Sequence, residues 1–514
     1  MPNFRLPVRS LAGYLSRLPG VGAVTNAIRG VDRGSGEDLL TPQAKRFGRE
    51  KIITDTHDIS VGDEVDPRLV ELEEEETSKA GIRSIRLPWD ERRETLIPYW
   101  DQPGDFDPDI RLLEQAFELE LNAILRGTIR PISLEESVRR SPKNTNLGLP
   151  HLRRDQSLVE EYMERAADLS DANEIHPNFA WWRGKPVGLG KPIDPGRIVF
   201  GADHVETFAG GRILHPLLGV MRKLPEHAAW NGPDDVDRVI DAYIRPFVHN
   251  HPGRTYISVD FSGFDTSVRE TPLRRIFQWL REKFPTIDRL VSILEEFFIT
   301  SGIITPDGWV YGRKGSVPSG SVLTNAIDSI WNRVVIRYSA LKRRAEIRYT
   351  VQGDDALIGG TLRLEDFAED SAELGMTVSD DKSLESDNTA HYLQRLYLMD
   401  LGRPGIASIS RRASALTGYE RFARDWDEWK EAMRVLMLLE VCKQHDNHTQ
   451  FVQYVASLDN VLGKVDPATI AKRAGDPELV LRSVDRAWEG SGYDRRNLGL
   501  ESFRTVRVLR ELGR

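Results

Sequence analysis

The stretch VQGDDALIGG, residues 351–360, sets two adjacent aspartates between apolar residues that predict β-strand on both sides. Two carboxylates at a tight turn inside a hairpin limit the possible folds, because buried carboxylates are costly unless a cation neutralises them. An isolated pair of aspartates in a turn is most often solvated turn chemistry. The apolar flanks argue against that interpretation here, so Asp354 and Asp355 need a partner elsewhere in the chain.

A second acidic strand end supplies that partner. In YISVDFSGFD, residues 256–265, Asp260 closes a short apolar strand as Asp354 closes another, 354 − 260 = 94 residues later. Neighbouring strands of one sheet bring such distant residues together, although Asp260 alone could simply cap the loop that follows it. Two or three carboxylates in this arrangement can hold two Mg²⁺ ions about 3.5 to 4 Å apart, one activating an attacking hydroxyl and one stabilising a leaving oxygen. The pattern therefore indicates nucleotidyl transfer.

Composition excludes several classes of protein. The chain has 514 residues, 40% hydrophobic and 29% charged, which suits two to four soluble domains or one large multi-lobed enzyme. No window approaches the roughly 18 uninterrupted apolar residues of a membrane helix, so we expect no membrane partner. The single cysteine, Cys442, excludes an intramolecular disulfide and fits a reducing cytoplasm. A net charge of −9 argues against a surface that is basic everywhere, but a nucleic-acid enzyme needs positive charge only along its channel.

The N-terminal segment is basic at first and then acidic. It carries arginines at positions 5, 9, 17 and 29 and no acid before Asp32, which superficially suits a mitochondrial presequence. Prolines at 2, 7 and 19 interrupt the helix that a presequence needs, so we favour an arm that lies on the protein's own body. The glutamates from Glu71 to Glu76 would repel one another if packed. They predict a solvated segment up to about residue 85, with the compact body beginning at about Asp107 or slightly earlier.

The rest of the chain alternates helix and strand. Apolar spacing predicts helices near 107–127, 272–284, 324–344 and 364–376, strands near 256–260 and 393–400, a loop with a hairpin at 303–317, and mostly helix from about Arg411. Between Trp181 and Lys223, seven lysines and arginines outnumber three acids. That surplus of four could line a path for an anionic substrate.

Three motifs occur in a diagnostic order. VDFSGFD, PSGSVLTNAIDS and VQGDD resemble the central palm motifs of viral RNA-dependent RNA polymerases. The segments ITPDGWVYGRKGSVPSG and KNTNLGLP are most similar to the double-stranded RNA viruses of the picobirnavirus and partitivirus group, with picobirnavirus nearest. The resemblance covers about residues 140–400 by motif. Together the three motifs are far more specific than GDD alone.

The resemblance implies a metal site and a proton donor. Asp260 and Asp354 correspond to the two principal ligands of two Mg²⁺ ions, for which Mn²⁺ can substitute, and Asp355 corresponds to a weaker ligand of the second ion. Lys382, in GMTVSDDKS, resembles the lysine proposed to protonate the departing pyrophosphate. Such general-acid help is typically worth about 10²- to 10⁴-fold in rate. A lysine in a polar loop is otherwise usually just solvated.

Other residues correspond to those that hold the nucleotide. Asp265 corresponds to the second acid of its motif, which in this family senses the ribose, whose 2′-hydroxyl can donate a hydrogen bond to a carboxylate. Ser319 and Gly320 form a flexible loop, and Thr324 enters the helix below the nucleotide, although the serine and threonine could instead cap that helix. The wider family usually has Asn where this chain has Asp328, which leaves open which acid contacts the sugar.

Cations must hold the triphosphate. GRIVFGADHVETFAGGRILHPLL resembles the basic fingers motif, with Arg197 at its arginine. Family members commonly have Lys two residues earlier, where this chain has Pro195. Lys191 or Lys185 could take its place, or these residues could form a solvated basic face.

The resemblance also implies RNA contacts. KNTNLGLP corresponds to the template-entry loop, in which Thr145, Asn146 and Gly148 shape the path, although its composition alone indicates only a turn. In HYLQRLYLMD, Arg395 corresponds to the primer-grip hairpin and is expected to contact the RNA backbone.

The fold implied is α+β, a right-hand polymerase with a ferredoxin-like palm. We expect an N-terminal extension over residues 1–105 that bridges fingers and thumb, fingers over 106–250 and 271–317, palm over 251–270 and 318–400, and a helical thumb over 401–514. The expected partners are template and nascent RNA, NTPs and a viral capsid protein, with location in the virion interior and the host-cell cytoplasm.

Two other functions remain open at this point. A reverse transcriptase shares the palm but is expected to place a bulky residue at Asp265, to exclude the 2′-hydroxyl. A catalytically retired RNA-binding scaffold could also share the fold, but retention of both Asp260 and Asp354 argues against it.

Overall fold

The computed structural model describes residues 8–10, 21–62, 64–102, 104–141, 145–169, 177–307, 309–313, 315–420, 426–475 and 502–513. Arg5, Arg17 and the three N-terminal prolines lie outside these ranges. The arm nevertheless contacts the body, because residues 8–10 form a strand that pairs with residues 309–311.

The N-terminal segment is largely helical. Its elements are β1 (Val8–Ser10), α1 (Val21–Arg33), α2 (Pro42–Phe47), α3 (Arg49–Ser60), α4 (Pro67–Thr77), β2 (Gly81–Ile82) and α5 (Trp89–Arg92), followed by a 3₁₀ helix (Arg93–Tyr99).

The acidic stretch in this segment is packed, so the predicted solvated segment is wrong. Asp66 caps helix α4 through a hydrogen bond from the Arg68 backbone N–H, and Pro67 occupies its first turn. Because a helix distributes consecutive residues around its axis, Glu71, Glu74 and Glu75 face solvent whereas Glu73 and Glu76 are buried. The compact body therefore begins well before Asp107.

Helices and a small sheet follow. The next elements are α6 (Ile110–Ile124), α7 (Leu134–Arg140), α8 (Val159–Asp168), β3 (Asn178–Arg183), β4 (Val187–Gly188), β5 (Arg197–Gly201), α9 (His204–Met221), α10 (Pro233–Val239) and α11 (Arg245–His249). A 3₁₀ helix (Pro225–Asn231) and a π-helical turn (Ile240–Ile244) flank α10.

The central part of the chain carries the motifs. Its elements are β6 (Thr255–Val259), α12 (Phe264–Ser267), α13 (Glu270–Lys283), α14 (Asp288–Thr300), β7 (Ile303–Ile304), β8 (Trp309–Tyr311), α15 (Thr324–Arg343), β9 (Ile347–Gln352), β10 (Asp355–Gly360), α16 (Leu364–Glu373) and β11 (Leu384–Ser386). The helices and the hairpin predicted here from apolar spacing are present within a few residues of their expected bounds.

Two sheets organise these elements. The first is antiparallel with the order β11-β6-β10-β9, and the second has the order β1-β8-β7-β3-β5. In the first sheet, β6, α15, β9, β10, α16 and β11 follow one another as βαββαβ, with α12 to β8 inserted after β6. That order is the ferredoxin-like topology expected for the palm.

The largest hydrophobic core lies between the first sheet and helices α6, α9 and α13–α15. Helix α15 runs through it, and Trp331 packs against Phe117 of α6 with ring centroids 5.9 Å apart. Arg333 is also buried in α15, where its guanidinium lies 2.6 Å from the carboxylate of Glu120. Helix α15 is therefore fixed by both apolar packing and a buried ion pair.

The described residues from Ser410 onward are mostly helical, as predicted. The C-terminal elements are β12 (Thr389–Tyr392), β13 (Arg395–Leu398), β14 (Ile406–Ala407), α17 (Ser410–Thr417), α18 (Glu428–Val441), α19 (His448–Leu458), α20 (Pro467–Ala474) and α21 (Arg504–Leu512).

The N-terminal segment contacts both sides of the molecule. Strand β1 joins the second sheet, whereas Thr41 donates a hydrogen bond to the Leu416 carbonyl at 2.6 Å and Gln43 donates one to Asp459 at 2.8 Å. The segment therefore spans the expected fingers and thumb, while the residue limits of the expected domains stay predictions.

Candidate active site

The sheet register brings the two acidic motifs together. Strand β10 pairs antiparallel with β6, and Ala356 lies opposite Val259. One step further along both strands, Asp355 lies beside Asp260, and Asp354 sits in the turn between β9 and β10. Directly opposed residues on antiparallel strands have Cβ atoms about 4.5 to 5.5 Å apart. The expectation that strand ends 94 residues apart converge is therefore confirmed.

Helix α15 holds the turn that carries Asp354. Gly353 has a φ of 60°, in the left-handed region that suits glycine. Its N–H donates to the Ser329 hydroxyl at 2.8 Å, and the Asn332 amide donates to the carbonyl oxygens of Gly353 and Asp354, both at 3.0 Å. Three residues on one face of α15 thus fix the turn, since the Gln352 amide also donates to Asn325 at 3.1 Å.

These carboxylates oppose one another's ionisation. Burial raises the pKa of Asp355 to about 8, with the charges of Asp354 and Asp260 adding to the shift and Arg197 opposing it. Burial also raises the pKa of Asp354, again against the guanidinium of Arg197. The Asp354 residue is itself exposed to solvent. A cation placed between the groups would stabilise their charged forms.

The side chains are not arranged as a set of metal ligands in this structure. Among the described residues, no group of three His, Cys, Asp or Glu side chains is placed to hold an ion. Asp260 is instead engaged by Lys382, whose Nζ lies 3.2 Å from its Oδ1. The donor set still fits Mg²⁺, because carboxylate oxygens are its preferred protein ligands and the three side chains project from adjoining strand ends.

A cavity of about 340 Å³ lies above the hairpin turn. It extends from the first residue of β5, Arg197, to the first sheet and to helix α18. Arg197 lines it together with Asp354 and Asp355. The Arg197 charge lowers the pKa values of both aspartates, although burial raises each overall. The predicted phosphate-binding arginine therefore faces the predicted metal-binding acids.

The two ribose candidates also line this cavity. Burial raises the pKa of Asp265 to about 7, and the carboxylate of Asp354 contributes. Burial, then the charges of Asp265 and Asp354, raise the pKa of Asp328 well above its ordinary value. Among the described residues, Oδ1 of Asp328 has no hydrogen-bond partner. It is a buried polar atom next to a cavity, which suits a ligand contact.

The loop before α15 packs against β5. A Cβ on Gly320 would lie 1.5 Å from the carbonyl oxygen of Phe200, so only glycine fits at this approach. The Ser319 hydroxyl donates to the Ile198 carbonyl at 3.3 Å, and the Thr324 hydroxyl donates to the Pro318 carbonyl at 2.6 Å. Neither side chain caps the helix, which excludes the capping alternative in this structure.

The expected template loop docks just beyond β5. The Thr145 hydroxyl lies 3.1 Å from Nε2 of His204, and the Asn146 carboxamide oxygen accepts the N–H of Gly148 at 2.9 Å. A Cβ on Gly148 would lie 2.5 Å from the Ala202 carbonyl oxygen. The loop is therefore a tight turn held at the start of α9, whereas residues 142–144 lie outside the described ranges.

Lys191 and Arg395 contact other parts of the protein instead of lying free for the expected phosphate and RNA contacts. Lys191 has its Nζ 3.5 Å from the Ser78 hydroxyl and does not line the cavity. Arg395 does line it, but its guanidinium donates to Asp237 at 2.8 Å and to the Pro233 carbonyl at 3.3 Å. An RNA contact by Arg395 would have to compete with that ion pair, so both roles stay predictions.

Sequence reasoning missed several residues that support the site. The Gln102 amide donates to the carbonyl oxygens of Thr266 and Val268, both at 2.9 Å, and so braces the turn that carries Asp265. Buried Glu206 accepts hydrogen bonds from the loop before α15. These polar residues lie far in sequence from the groups they hold, and no local pattern marks them.

Comparison with known proteins identifies the family. A family model described as viral RNA-dependent RNA polymerase matches residues 129–417, more than half of the chain. The chain belongs to this family. In this polymerase VDFSGFD follows strand β6 and VQGDD forms the turn between β9 and β10, whereas PSGSVLTNAIDS forms the loop and first turns of α15.

Relatives of this polymerase are viral. It is 26% identical, over 544 aligned residues that cover 99% of this chain and 97% of the relative, to a potential RNA-dependent RNA polymerase of Human picobirnavirus (strain Human/Thailand/Hy005102/-). It is 31% identical over 138 residues to the RNA-directed RNA polymerase of Cryptosporidium parvum virus 1 (strain KSU-1), covering 24% of this chain and 26% of the relative.

Solved structures show the same fold. The crystal structure of a human picobirnavirus RNA-dependent RNA polymerase matches with a TM-score of 0.78 and 20% identity, covering 97% of this chain and 99% of the other. Its insertion-loop deletion mutant matches with a TM-score of 0.77 and 19% identity over the same shares. The fold is therefore the α+β right-hand polymerase fold expected from the motifs.

The polymerase is an RNA-directed RNA polymerase, whose substrates are RNA and NTPs. Among the described residues, no helix is both long enough and apolar enough to span a membrane.

Proposed function

We propose that this polymerase replicates and transcribes a double-stranded RNA viral genome by two-metal nucleotidyl transfer from NTPs to an RNA 3′-hydroxyl. One observation carries the proposal. A single cavity is lined by a phosphate-binding candidate, Arg197, by two acids of the hairpin turn, and by two acids suited to a ribose.

In this proposal Asp260, Asp354 and Asp355 hold two Mg²⁺ ions, with Mn²⁺ as a substitute. When bound, the ions activate the attacking hydroxyl and stabilise the leaving oxygen. The strand register and the raised pKa values of Asp354 and Asp355 support this assignment.

The other residues act on the nucleotide. Arg197 binds the triphosphate by charge-assisted hydrogen bonds, which match the geometry of phosphate oxygens. Lys382 donates a proton to the leaving pyrophosphate from its position beside Asp260. Asp265 accepts a hydrogen bond from the ribose 2′-hydroxyl, and Asp328 supports it through a hydrogen-bond network from the base of the cavity.

Contacts with RNA and with other proteins are proposed on the resemblance. The loop that contains Thr145, Asn146 and Gly148 guides the template, and Arg395 contacts the backbone of the nascent strand. The likeness to polymerases of double-stranded RNA viruses supports a capsid protein as partner and action in the virion interior and the host-cell cytoplasm. Recovery of the polymerase from purified particles together with capsid protein would test this.

The decisive assay is extension of an RNA primer on an RNA template with Mg²⁺ and either NTPs or dNTPs. The proposal predicts extension with NTPs and much weaker extension with dNTPs. Preferential use of dNTPs would instead indicate a reverse transcriptase, and RNA binding without any extension would indicate a retired scaffold. Either result contradicts the proposal.

A further inference from the structure

Glu206 is a buried acid in helix α9. It lies in the first turn of α9 and is 2% exposed. Among the residues that the structure describes, no lysine or arginine forms an ion pair with it. Burial raises its pKa to about 7, against the opposing effect of hydrogen bonds from Ser321 and Val322. Burying a carboxyl group is costly in free energy, so its presence here indicates a structural role for the hydrogen bonds that it accepts.

Those hydrogen bonds all come from the junction of the Ser319–Ser321 loop with α15. The Ser321 hydroxyl donates to Oε1 of Glu206, and the Val322 N–H donates to Oε2 at 3.4 Å. The Ser321 hydroxyl oxygen in turn accepts the N–H of Leu323 at 3.2 Å. Glu206 therefore accepts one backbone N–H directly and binds the hydroxyl that accepts a second, both in the two residues that precede α15, whose N-cap residue Leu323 provides no side-chain cap.

The contact is also sterically tight. One turn further along α9, a Cβ on Gly210 would lie 2.7 Å from Cγ1 of Val322, so a glycine is needed for the two segments to meet. On its other side, the same loop touches β5 through Ser319 and Gly320. The loop is thus held between the strand that carries Arg197 and the helix that carries Glu206.

We propose that Glu206 is a positioning residue that fixes the start of α15, and with it Thr324 and Asp328, relative to Arg197. Both α15 residues line the cavity together with Arg197. The inference rests on the proposed nucleotide-binding role of these residues. If the loop loses its hold on α9, the groups expected to bind phosphate and sugar lose their common geometry, and a small misplacement weakens binding strongly.

The test compares Glu206→Ala, Glu206→Gln, Ser321→Ala and the Glu206→Ala/Ser321→Ala double variant. Glu295→Ala is the matched control, because Glu295 is also a buried acid of the fingers but pairs with Arg274. Each variant is measured for Tm, for the RNA dissociation constant and for the KM of NTP in primer extension.

We expect Glu206→Ala to raise the NTP KM by roughly tenfold, while RNA affinity and kcat change by less than about threefold. Glu206→Gln keeps an acceptor for Ser321 and is expected to restore most of the wild-type KM. The double variant should show less than the sum of the two single effects, because each single variant already removes the contact between Glu206 and Ser321. Glu295→Ala should lower Tm and leave the NTP KM unchanged.

Three outcomes would overturn the inference. These are an unchanged NTP KM in Glu206→Ala, an equal rise in KM in Glu295→Ala, and fully additive effects in the double variant. If Glu206→Ala does not fold, an unchanged KM in Ser321→Ala overturns the inference as well. If wild-type polymerase extends RNA and these variants behave like wild type, only this inference is refuted. If wild-type polymerase does not use NTPs, the proposed function is refuted together with this inference.

Discussion

The Nζ atom of Lys382 lies 3.2 Å from Oδ1 of Asp260, although 122 residues separate them. The loop that carries Lys382 is docked on the end of β6, because the Ser379 N–H donates to the Asp260 carbonyl at 2.8 Å and the Asp260 N–H donates to the Ser383 hydroxyl at 3.1 Å. The ion pair itself is solvent-exposed, and such pairs are worth only about 0 to 1 kcal/mol. Lys382 can therefore leave Asp260 at little cost, as its proposed role as a proton donor requires.

Replacing Lys382 tests whether it transfers a proton or only supplies charge. Lys382→Ala should lower kcat by about 10²-fold or more, with a smaller change in the NTP KM. Lys382→Arg should restore the KM but not kcat, because a guanidinium holds its proton too tightly to donate it. Single-turnover extension would measure both. Wild-type kcat in Lys382→Arg would show that charge alone suffices, and Lys464→Ala in the thumb serves as the control.

Arg197 is expected to act on the triphosphate. Arg197→Ala removes a charge-assisted phosphate contact worth roughly 1.5 to 3 kcal/mol, so the NTP KM should rise by about 10- to 100-fold while template affinity changes little. Arg212→Ala is a suitable control, because Arg212 belongs to the same basic stretch but donates to the Ile132 carbonyl outside the cavity. An NTP dependence like that of wild type would assign Arg197 a purely structural role.

Sugar choice is expected to depend on Asp265 more than on Asp328. Asp265→Ala should reduce NTP use more than dNTP use, because it removes an acceptor that only the 2′-hydroxyl needs. Asp328→Asn should keep substantial activity, because the structure already raises the pKa of Asp328 and an amide can replace a neutral acid in a hydrogen-bond network. Steady-state incorporation of matched NTP and dNTP measures both effects. An inactive Asp328→Asn, or an unchanged sugar preference in Asp265→Ala, would contradict this division of roles.

The sequence patterns predicted the strands and helix that carry the motifs better than the side-chain contacts that hold these elements in place. The hairpin, β6 and α15 have local signatures, and the order of the motifs placed Asp260 and Asp354 on adjoining strands. The acidic helix α4 was missed because like charges on consecutive residues suggest solvation. The burial of Glu73 and Glu76 depends instead on partners that lie more than 300 residues away in sequence.

Side-chain partners distant in sequence account for the other differences. Glu206 and Ser321 are 115 residues apart, and Arg395 and Asp237 are 158 residues apart. Neither pairing leaves a periodic or local signal. The position of Lys191 beside Ser78 likewise depends on how β4 pairs with β2, which the sequence does not specify.

Glu73 is expected to join the N-terminal segment to the thumb. Its carboxylate accepts the N–H groups of Ile409 and Ser410, both at 2.8 Å, and the Ser408 hydroxyl at 2.9 Å, with Nε2 of His445 at 3.2 Å. Burial alone would raise the pKa of Glu73, but the contact with His445 and these hydrogen bonds lower it overall.

A lowered pKa in the folded state means that ionised Glu73 stabilises the protein above the ordinary value of 4.5 and that this contribution is lost as the pH falls. Glu73→Gln should therefore cost roughly 2 kcal/mol of unfolding free energy at neutral pH, and the cost should shrink below pH 4.5. Thermal unfolding across pH would show this. Glu71→Gln, exposed on the same helix, should change stability by less than about 0.5 kcal/mol, and an equal effect of the two variants would contradict the assignment.

The converging aspartates are expected to support metal-dependent transfer. The most direct measurement is single-nucleotide extension of an RNA primer with Mg²⁺ by wild type, Asp354→Asn and Asp260→Asn, each shown to be folded by its Tm and its RNA affinity. We predict extension by wild type that chelation of Mg²⁺ abolishes, and no detectable extension by either variant at any Mg²⁺ concentration. Wild-type extension rates in a folded Asp354→Asn or Asp260→Asn polymerase would contradict the metal assignment.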